Sequence, residues 1–357
     1  MEMALELALR AQGRTHPNPM VGAVVVKGGR VISKGYHKRA GGAHAEISAL
    51  KKAGARARGA ELYVTLEPCC HHGRTGPCVE AILASGVRRV VAGMRDPNPL
   101  VSSKGLRFLK KHGIETKAGV LEADCQSLNE IFIKHITTGR PWVILKAAMS
   151  LDGKIASRSG NSKWITGDAA RRMVHEIRDR VDAILVGAGT VVKDNPLLTT
   201  RLSSGKGKNP IRVILDHEEI VPLRSRVFQN SRSEGVIYVA GESMRLERRQ
   251  ALERKGVVVM NLKVNRNGIP LKRLMRELGK REICSLLIEG GSEVHASALK
   301  EKIVDQAYFF IAPKIIGGKS APGPVGGEGV LKVRNALPLK NLSFRPVGDD
   351  WLAEARF

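Results

Sequence analysis

The 357-residue sequence lacks any apolar run close to the ~18 residues that a membrane-spanning helix needs, so we expect no membrane anchor. Its first residues, Met1 to Gly13, include Glu2 and Glu6 and therefore lack the unbroken apolar core of a signal peptide. Cysteines are few, and their odd number of five argues against a disulfide scaffold. These absences together predict a cytoplasmic protein.

Aromatic residues make up only 4% of the chain, and the 34 acidic residues are outnumbered by 59 Lys and Arg. The net charge of +25 attracts anions in general, which include phosphorylated metabolites and nucleic acids. The scarcity of aromatic rings argues mildly against a protein that stacks the bases of a single strand. Charge alone does not choose between these partners.

The length suits two domains, and 43% apolar with 26% charged residues is ordinary globular composition. Strand and helix patterns alternate on both sides of the sequence Thr137 to Pro141, where Gly139 ends a helix and a proline opens a new segment. We therefore predict two α/β domains, residues 1–140 and 141–357, with mostly parallel sheets.

Three local patterns in the first domain are specific enough to test. A glycine turn between the apolar runs 21–26 and 31–36 predicts a hairpin, residues 114–120 a strand, and residues 123–136 one helix. The thiols of Cys125 and Cys284 stand alone, and we interpret them as small buried apolar residues.

A cluster of metal-ligand residues lies in the first domain. His44 opens a predicted helix, Cys69 follows a predicted strand, and Cys78 opens another helix. One imidazole and two thiolates give three ligands to a tetrahedral Zn²⁺ and leave the fourth position for water, which is the catalytic arrangement. Glu46 can shuttle protons between that water and a leaving amine. The pattern His-x-Glu, Pro-Cys, Cys is the signature of zinc deaminases.

Two other interpretations of this cluster stay open. His-x-Glu alone is common, and His71 or His72 could supply a fourth ligand that closes the site as a structural zinc centre. In a zinc-stabilised binding protein Glu46 would be dispensable. The spacing, the strand and helix contexts and Glu46 together favour catalysis.

The sequence resembles the bifunctional riboflavin-biosynthesis deaminase/reductase family over nearly its whole length. The segments that carry the resemblance are residues 15–23, 44–46, 67–78, 146–155, 162–166, 186–190, 194–199 and 288–291. Eight residues separate Cys69 from Cys78, where most zinc nucleobase deaminases have two, and this longer loop is typical of the family. The loop often carries a second Pro where Gly76 stands here.

The resemblance implies a cytidine-deaminase-like α/β/α domain followed by a dihydrofolate-reductase-like domain that uses NADPH. The first would hydrolyse the 2-amino group of a diamino-ribosylamino-pyrimidinone 5′-phosphate, and the second would reduce the ribose of the product to ribityl. Asn18 would contact the pyrimidine from a turn stiffened by two prolines. His71, His72 and Arg74 would line the entrance of the same deaminase site, which we call its mouth. We also expect a homo-oligomer.

In the second domain the resemblance implies two sets of contacts. Those to NADPH would come from Ala148, Trp164, Thr190, Asp194 and Gly291. Those to substrate would come from Ser162, Arg178, Leu198, Arg201 and Glu289. Arg178 and Arg201 could clamp a phosphate bidentately. Lys146 and Asp194 are candidates for the proton that accompanies the hydride, although a structural Lys–Asp pair would look the same.

Two features of the second domain bear on how a dinucleotide would be held. Gly187-Ala188-Gly189 fails the Rossmann fingerprint because position 192 is Val. Glu289-Gly290-Gly291-Ser292 lies between a predicted strand and a predicted helix, where glycines and free N–H groups suit a pyrophosphate.

A rival enzyme class is a deaminase that acts on tRNA and carries an appended basic domain. The net charge of +25 supports it. The long gap between the two cysteines and the reductase-like motifs after Pro141 count against it, so nucleic acid is not the expected substrate.

Overall fold

The computed structural model describes residues 1–70, 76–98, 102–205, 207–266 and 268–357. The chain divides into two compact units, Met1–Arg140 and Pro141–Phe357. Both units combine sheets with helices, so the predicted α/β class is confirmed. Among the described residues, none of the helices is both long enough and apolar enough to span a bilayer.

The first unit is built on a five-stranded sheet with the order β2-β1-β3-β4-β5. Its strands are β1 (Gly22–Lys27), β2 (Arg30–Tyr36), β3 (Glu61–Leu66), β4 (Arg89–Met94) and β5 (Glu115–Lys117). Its helices are α1 (Glu2–Leu9), α2 (Ala45–Ala53), α3 (Cys78–Ser85), α4 (Lys104–Lys111), α5 (Glu122–Leu128) and α6 (Glu130–Thr138). Strand β1 is antiparallel to both neighbours, whereas β3, β4 and β5 are parallel, so this sheet is less parallel than predicted.

The predicted hairpin is confirmed by β1 and β2. Gly28 and Gly29 form its two-residue turn with φ of 55° and 73°, the left-handed region that a tight hairpin turn requires. The predicted strand 114–120 is shorter than expected, because β5 covers only Glu115–Lys117.

The single helix predicted over residues 123–136 is wrong. Asn129, with φ −110° and ψ 18°, interrupts it and separates α5 from α6. The Asn129 side chain is buried and makes both of its hydrogen bonds with the backbone of Met20, on a distant turn. A tertiary contact therefore ends a helix that local sequence would continue.

The second unit contains a nine-stranded sheet with the order β10-β9-β8-β7-β11-β6-β12-β14-β13. Its strands are β6 (Trp142–Ser150), β7 (Ala183–Gly187), β8 (Ile211–Leu215), β9 (Val236–Gly241), β10 (Val258–Leu262), β11 (Ser285–Ile288), β12 (Gln306–Ala312), β13 (Lys340–Val347) and β14 (Asp350–Arg356). Its helices are α7 (Asp168–Arg180), α8 (Ala188–Asp194), α9 (Ser231–Glu234), α10 (Leu246–Arg254), α11 (Leu271–Gly279) and α12 (Ser292–Lys300).

The first seven strands in the order of the sheet, from β10 at its edge to β12, are parallel as predicted. The last two strands, β14 and β13, extend the sheet in antiparallel pairing. Side chains alternate between the two faces of a strand, and in β6 Val143 and Leu145 enter one buried cluster while Ile144 enters the other. Burial on both faces explains why the parallel strands are nearly continuous apolar runs.

Candidate active sites

Three ligand atoms converge in the first unit. His44 Nδ1 lies 3.1 Å from Cys78 Sγ and 3.6 Å from Cys69 Sγ, and the three ligand atoms all lie within 4.8 Å of one another. Zinc bonds of 2.0–2.3 Å in a tetrahedron place neighbouring ligands about 3.5 Å apart. The donor set and its spacing therefore fit a tetrahedral zinc ion.

Local structure brings these ligands together. His44 is the N-cap residue of α2, Cys69 follows β3, and Cys78 is the first residue of α3. The backbone N–H of Cys78 donates to Cys69 Sγ at 3.3 Å. A hydrogen bond from the Cys78 thiol, opposed by burial and helped by His44, lowers the pKa of Cys69 to about 4. Thiolate, the form that binds metal, is thus stabilised at Cys69.

Glu46 lies in the first turn of α2 beside the ligands. Its side chain is buried, and burial raises the pKa of its carboxyl, with the neighbouring Cys69 thiolate acting in the same direction. A carboxyl group whose proton is held more firmly than usual is suited to taking up a proton and giving it back.

Two buried side chains hold the turn that carries Asn18. The Asn18 amide donates to His37 Nε2 at 3.2 Å, and His37 Nδ1 is 3.1 Å from the Ala43 carbonyl. Burial lowers the pKa of His37, which keeps its ring neutral, with one nitrogen donating and the other accepting. Asn129 accepts from the Met20 N–H at 2.8 Å and donates to the Met20 carbonyl at 3.0 Å.

Sequence reasoning missed both His37 and Asn129. A single His or Asn carries little signal, and Asn129 is 109 residues from its partner Met20. His71, His72 and Arg74, predicted near the same mouth, lie outside the described residues, so the fourth-ligand alternative rests on residues that the structure does not describe.

A cavity of about 1070 Å³ lies in the second unit. The structure brings together on its wall all of the residues predicted for the reductase. They are Lys146, Ala148, Ser162, Trp164, Arg178, Thr190, Asp194, Leu198, Arg201, Glu289 and Gly291. Both predicted sets, for cofactor and for substrate, therefore face one space.

A charged cluster forms part of this wall. Arg178 donates from Nε and Nη2 to the two carboxylate oxygens of Glu289 at 2.6 and 2.8 Å, and Lys146 Nζ lies 3.7 Å from Glu289. Burial alone would raise the pKa of Glu289, but Arg178 and Lys146 lower it to about 2. Lys146 therefore pairs with Glu289. The structural pair of Lys146 with Asp194 that the sequence left open is therefore not the contact that Lys146 makes.

The phosphate clamp predicted for Arg178 needs a correction, because its fork of donors already grips Glu289. Arg201 lies nearby, with Nη2 3.2 Å from His175 Nε2. Burial, followed by the charges of Arg178 and Arg201, lowers the pKa of His175 to about 4. Because the His175 imidazole is neutral and Arg201 is not paired with a carboxylate among the described contacts, this part of the cavity wall is positive.

Trp164 and Asp194 stand at more exposed parts of the wall. Trp164 is 65% exposed, and the Arg171 guanidinium lies 4.5 Å from the centre of its ring, so this tryptophan is not a core residue. Asp194 is exposed at the end of α8.

The turn from Glu289 to Ser292 joins β11 to α12 as predicted. Gly291, with φ of 75°, is the N-cap of α12. A Cβ on Gly290 would lie 2.9 Å from Thr190 Oγ1 and 3.1 Å from Val186, so only glycine fits this turn. The turn lets backbone approach closely, and the α12 N-terminus presents unpaired N–H groups, a combination that fits the pyrophosphate of a dinucleotide.

Comparison with protein families gives one match for each unit. Residues 1–94 match the cytidine and deoxycytidylate deaminase zinc-binding region, and residues 141–353 match the RibD C-terminal domain. The chain is 44% identical to the riboflavin biosynthesis protein RibD of Aquifex aeolicus, over 98% of this chain and 95% of that one. It is 39% identical to RibD of Escherichia coli, over 98% and 96%.

Solved structures agree with these relatives. The diaminohydroxyphosphoribosylaminopyrimidine deaminase/5-amino-6-(5-phosphoribosylamino)uracil reductase of Thermotoga maritima superposes with a TM-score of 0.87 at 42% identity, covering 100% of this chain and 97% of that one. RibD of Acinetobacter baumannii gives a TM-score of 0.90 at 38% identity, covering 99% and 97%. The chain therefore belongs to the RibD family, the bifunctional deaminases and reductases of riboflavin biosynthesis, which combine a zinc-binding deaminase domain with a reductase domain that uses NADPH.

Proposed function

We propose that residues 1–140 hydrolyse the 2-amino group of 2,5-diamino-6-(5-phosphoribosylamino)pyrimidin-4-one. Residues 141–357 then reduce the ribosyl group of the product with NADPH, giving 5-amino-6-(5-phosphoribitylamino)uracil. The observation that carries the proposal is that each unit brings the residues predicted for one site close together. The first has three zinc ligand atoms within 4.8 Å beside a buried carboxyl, and the second has eleven predicted contacts on one cavity.

His44, Cys69 and Cys78 would hold the zinc ion, because their donor set and spacing suit it. Zinc supplies a water that is a nucleophile at neutral pH. In the hydrolysis, the water oxygen bonds to the ring carbon and the C–N bond to the amino group breaks. Glu46 takes one proton from the water and delivers it to the departing nitrogen, and the second proton of the water goes to the adjacent ring nitrogen, so that ammonia leaves and a carbonyl remains.

Asn18 would fix the pyrimidine in front of Glu46. His37 accepts one amide N–H of Asn18, which sets the direction of the amide. The Asn18 oxygen is then positioned to accept from a ring or exocyclic N–H of the substrate.

In the reductase, Arg201 would bind the substrate phosphate in the positive corner beside His175. Glu289 stays ionised between Arg178 and Lys146, so its carboxylate can accept hydrogen bonds from ribose hydroxyls. Ser162 and Leu198 complete the substrate wall. NADPH supplies the hydride, and Ala148, Trp164, Thr190, Asp194 and the Gly291 turn would hold it.

Reduction also needs one proton at the ribose oxygen. We assign it to Lys146, since burial lowers the pKa of its ammonium group and so makes it a better acid, although Glu289 opposes the shift. Asp194 is the alternative, and its exposed position makes it the weaker one.

The test is one assay with two readouts. Purified protein receives the diamino-pyrimidinone, and ammonia and nicotinamide absorbance are followed together. Ammonia should appear first, and NADPH should be consumed only once deaminated product exists. NADPH consumption without ammonia, from the same substrate, would contradict the order and the assignment of the two units.

We further infer that the enzyme is a cytoplasmic homo-oligomer with a small-molecule substrate and not a nucleic acid. Support for the location is chemical: Cys69 and Cys78 are free thiols, and a reducing compartment keeps such ligands available to a metal. Competition by RNA against the pyrimidine phosphate would count against the small-molecule assignment.

A further inference from the structure

The reductase cavity holds two of its arginines in different ways. Arg178 directs its fork of donors at the carboxylate of Glu289, which offsets its positive charge. Arg201 lies on the same wall, but its side chain contacts no carboxylate among the described residues. The partner of its guanidinium is the imidazole of His175, whose Nε2 lies 3.2 Å from Nη2. The charge of Arg201 is therefore held in place without being offset.

The position of His175 on α7 brings its ring to Arg201. His175 precedes Arg178 by three residues on this helix, a spacing that places both side chains on one face, and both line the cavity. The backbone nitrogen of Arg201 lies 3.3 Å from His175 Nδ1. The imidazole thus contacts both the main chain and the guanidinium of Arg201, and it determines where that guanidinium is held.

This contact requires a neutral imidazole. An arginine side chain only donates hydrogen bonds, so His175 must accept, and a protonated imidazole has no acceptor. Burial, followed by the charges of Arg178 and Arg201, lowers the pKa of His175 to about 4, so the ring is neutral at pH 7. With the ring proton on Nδ1, Nε2 accepts from Arg201.

A neutral acceptor prepares an arginine for an anion in a way that a carboxylate does not. Both acceptors fix the direction of a guanidinium, but a carboxylate also cancels its charge, as Glu289 does for Arg178. Burial and then the charges of Arg178 and Arg226 lower the pKa of Arg201, so cations surround this guanidinium. A phosphate bound here would meet an oriented fork of donors that keeps its full charge.

We propose that His175 is a positioning residue that makes the reductase specific for a phosphorylated substrate, because it orients Arg201 towards the 5′-phosphate without neutralising it. The proposal rests on the assignment of Arg201 to the substrate phosphate. It adds the residue through which the enzyme distinguishes the phosphorylated pyrimidine from its dephosphorylated counterpart. Since His175 acts through Arg201, its removal should change the binding of the phosphate and not the chemical step.

The test compares two substrates in the NADPH oxidation assay, the deaminated pyrimidine with its 5′-phosphate and the same compound without it. His175→Leu removes the acceptor, so KM of the phosphorylated compound should rise about tenfold at constant kcat, while KM of the dephosphorylated compound stays the same. His175→Gln supplies a neutral acceptor of similar reach and should give the wild-type KM for both. His175→Glu also accepts but cancels the charge of Arg201, so KM of the phosphorylated compound should rise about thirtyfold or more.

The matched control is Arg172→Leu, at an exposed arginine of the same helix, which should change neither KM. If His175→Leu raises KM equally for both substrates, or for neither, the proposal is wrong. Should that variant fail to fold, His175→Gln and His175→Glu decide the question, because these two side chains have the same shape and differ in charge. Equal KM of the phosphorylated compound in this pair would also overturn the proposal.

The variant Arg201→Met separates this proposal from the assignment on which it rests. It removes the cation itself, so it should abolish the preference for the phosphorylated compound. A preference retained in Arg201→Met would show that Arg201 does not bind the phosphate, and the role of His175 would fall with that assignment. A preference lost in Arg201→Met but kept in His175→Leu would overturn the role of His175 alone.

Discussion

The two sites of this chain differ in how many residues build them and how far apart those residues lie in the sequence. In the deaminase unit, the three candidate zinc ligands and one carboxyl come from residues 44–78 and lie at the starts of two helices and just after one strand. In the reductase unit, the cavity wall draws on residues from Lys146 to Pro322. The deaminase site depends on a few atoms, whereas binding in the reductase cavity is shared among many residues. Single substitutions should therefore act more sharply in the first unit.

The sharpest expected effect is at Glu46. The variant Glu46→Gln removes the proposed proton acceptor but preserves the shape of the side chain, so ammonia release should fall about 10²–10⁴-fold. Zinc content, measured by elemental analysis, should be unchanged, and so should NADPH oxidation with the deaminated pyrimidine as substrate. Ammonia release close to the wild-type rate would show that Glu46 is not the proton carrier.

The matching substitution in the reductase is Lys146→Met. It removes the proposed proton donor and leaves Glu289 paired with Arg178 alone, so we expect NADPH oxidation to fall about a hundredfold with deamination unaffected. Lys319→Met, at an exposed lysine, serves as the control. If Asp194→Asn lowers the rate further than Lys146→Met, the proton comes from Asp194 instead.

A smaller effect should follow when the Asn129 side chain, which holds the turn beside the deaminase site, is removed. Asn129→Ala leaves the buried N–H and carbonyl of Met20 without their partner, which costs about 1–3 kcal/mol for each group in the free energy of unfolding. Because the Asn18 turn loosens, KM of the deamination should rise about tenfold while kcat changes little. A fall in kcat at constant KM would place the effect at the zinc site and not at the mouth.

The smallest effect concerns stability against pH in the second unit. His175 has a pKa of about 4 in the folded protein, below the ordinary 6.5, because of burial and then the charges of Arg178 and Arg201. The unfolded chain binds this proton more readily, so His175 makes stability fall as pH drops from 6.5 towards 4. His175→Gln should flatten that part of the profile in denaturant titrations. An unchanged slope would mean that His175 is protonated alike in both states.

The difference between the two sites also shows which features could be predicted from the sequence. The convergence of His44, Cys69, Cys78 and Glu46 could be predicted because metal chemistry restricts residue type and spacing, and because the two helix starts were visible in the sequence pattern. Cys125 and Cys284 are buried, as predicted. The family match, over almost the whole chain, also decides against the tRNA deaminase and the zinc-stabilised binding protein.

Contacts between residues that are far apart in the chain could not be predicted from the sequence. The grip of Arg178 on Glu289 spans 111 residues and changes what Arg178 can bind. The break at Asn129 arises from a partner 109 residues away. Strands β13 and β14 gave no recognisable signal, because β13 is exposed almost throughout and so lacks the alternation that marks a half-buried strand.

The most direct test of two independent sites is removal of zinc from the purified protein by a chelator. Ammonia release from the diamino-pyrimidinone should stop, while NADPH oxidation with the deaminated pyrimidine should continue at its full rate, and added Zn²⁺ should restore the first activity alone. Undiminished ammonia release from protein shown by elemental analysis to be free of metal would contradict the account.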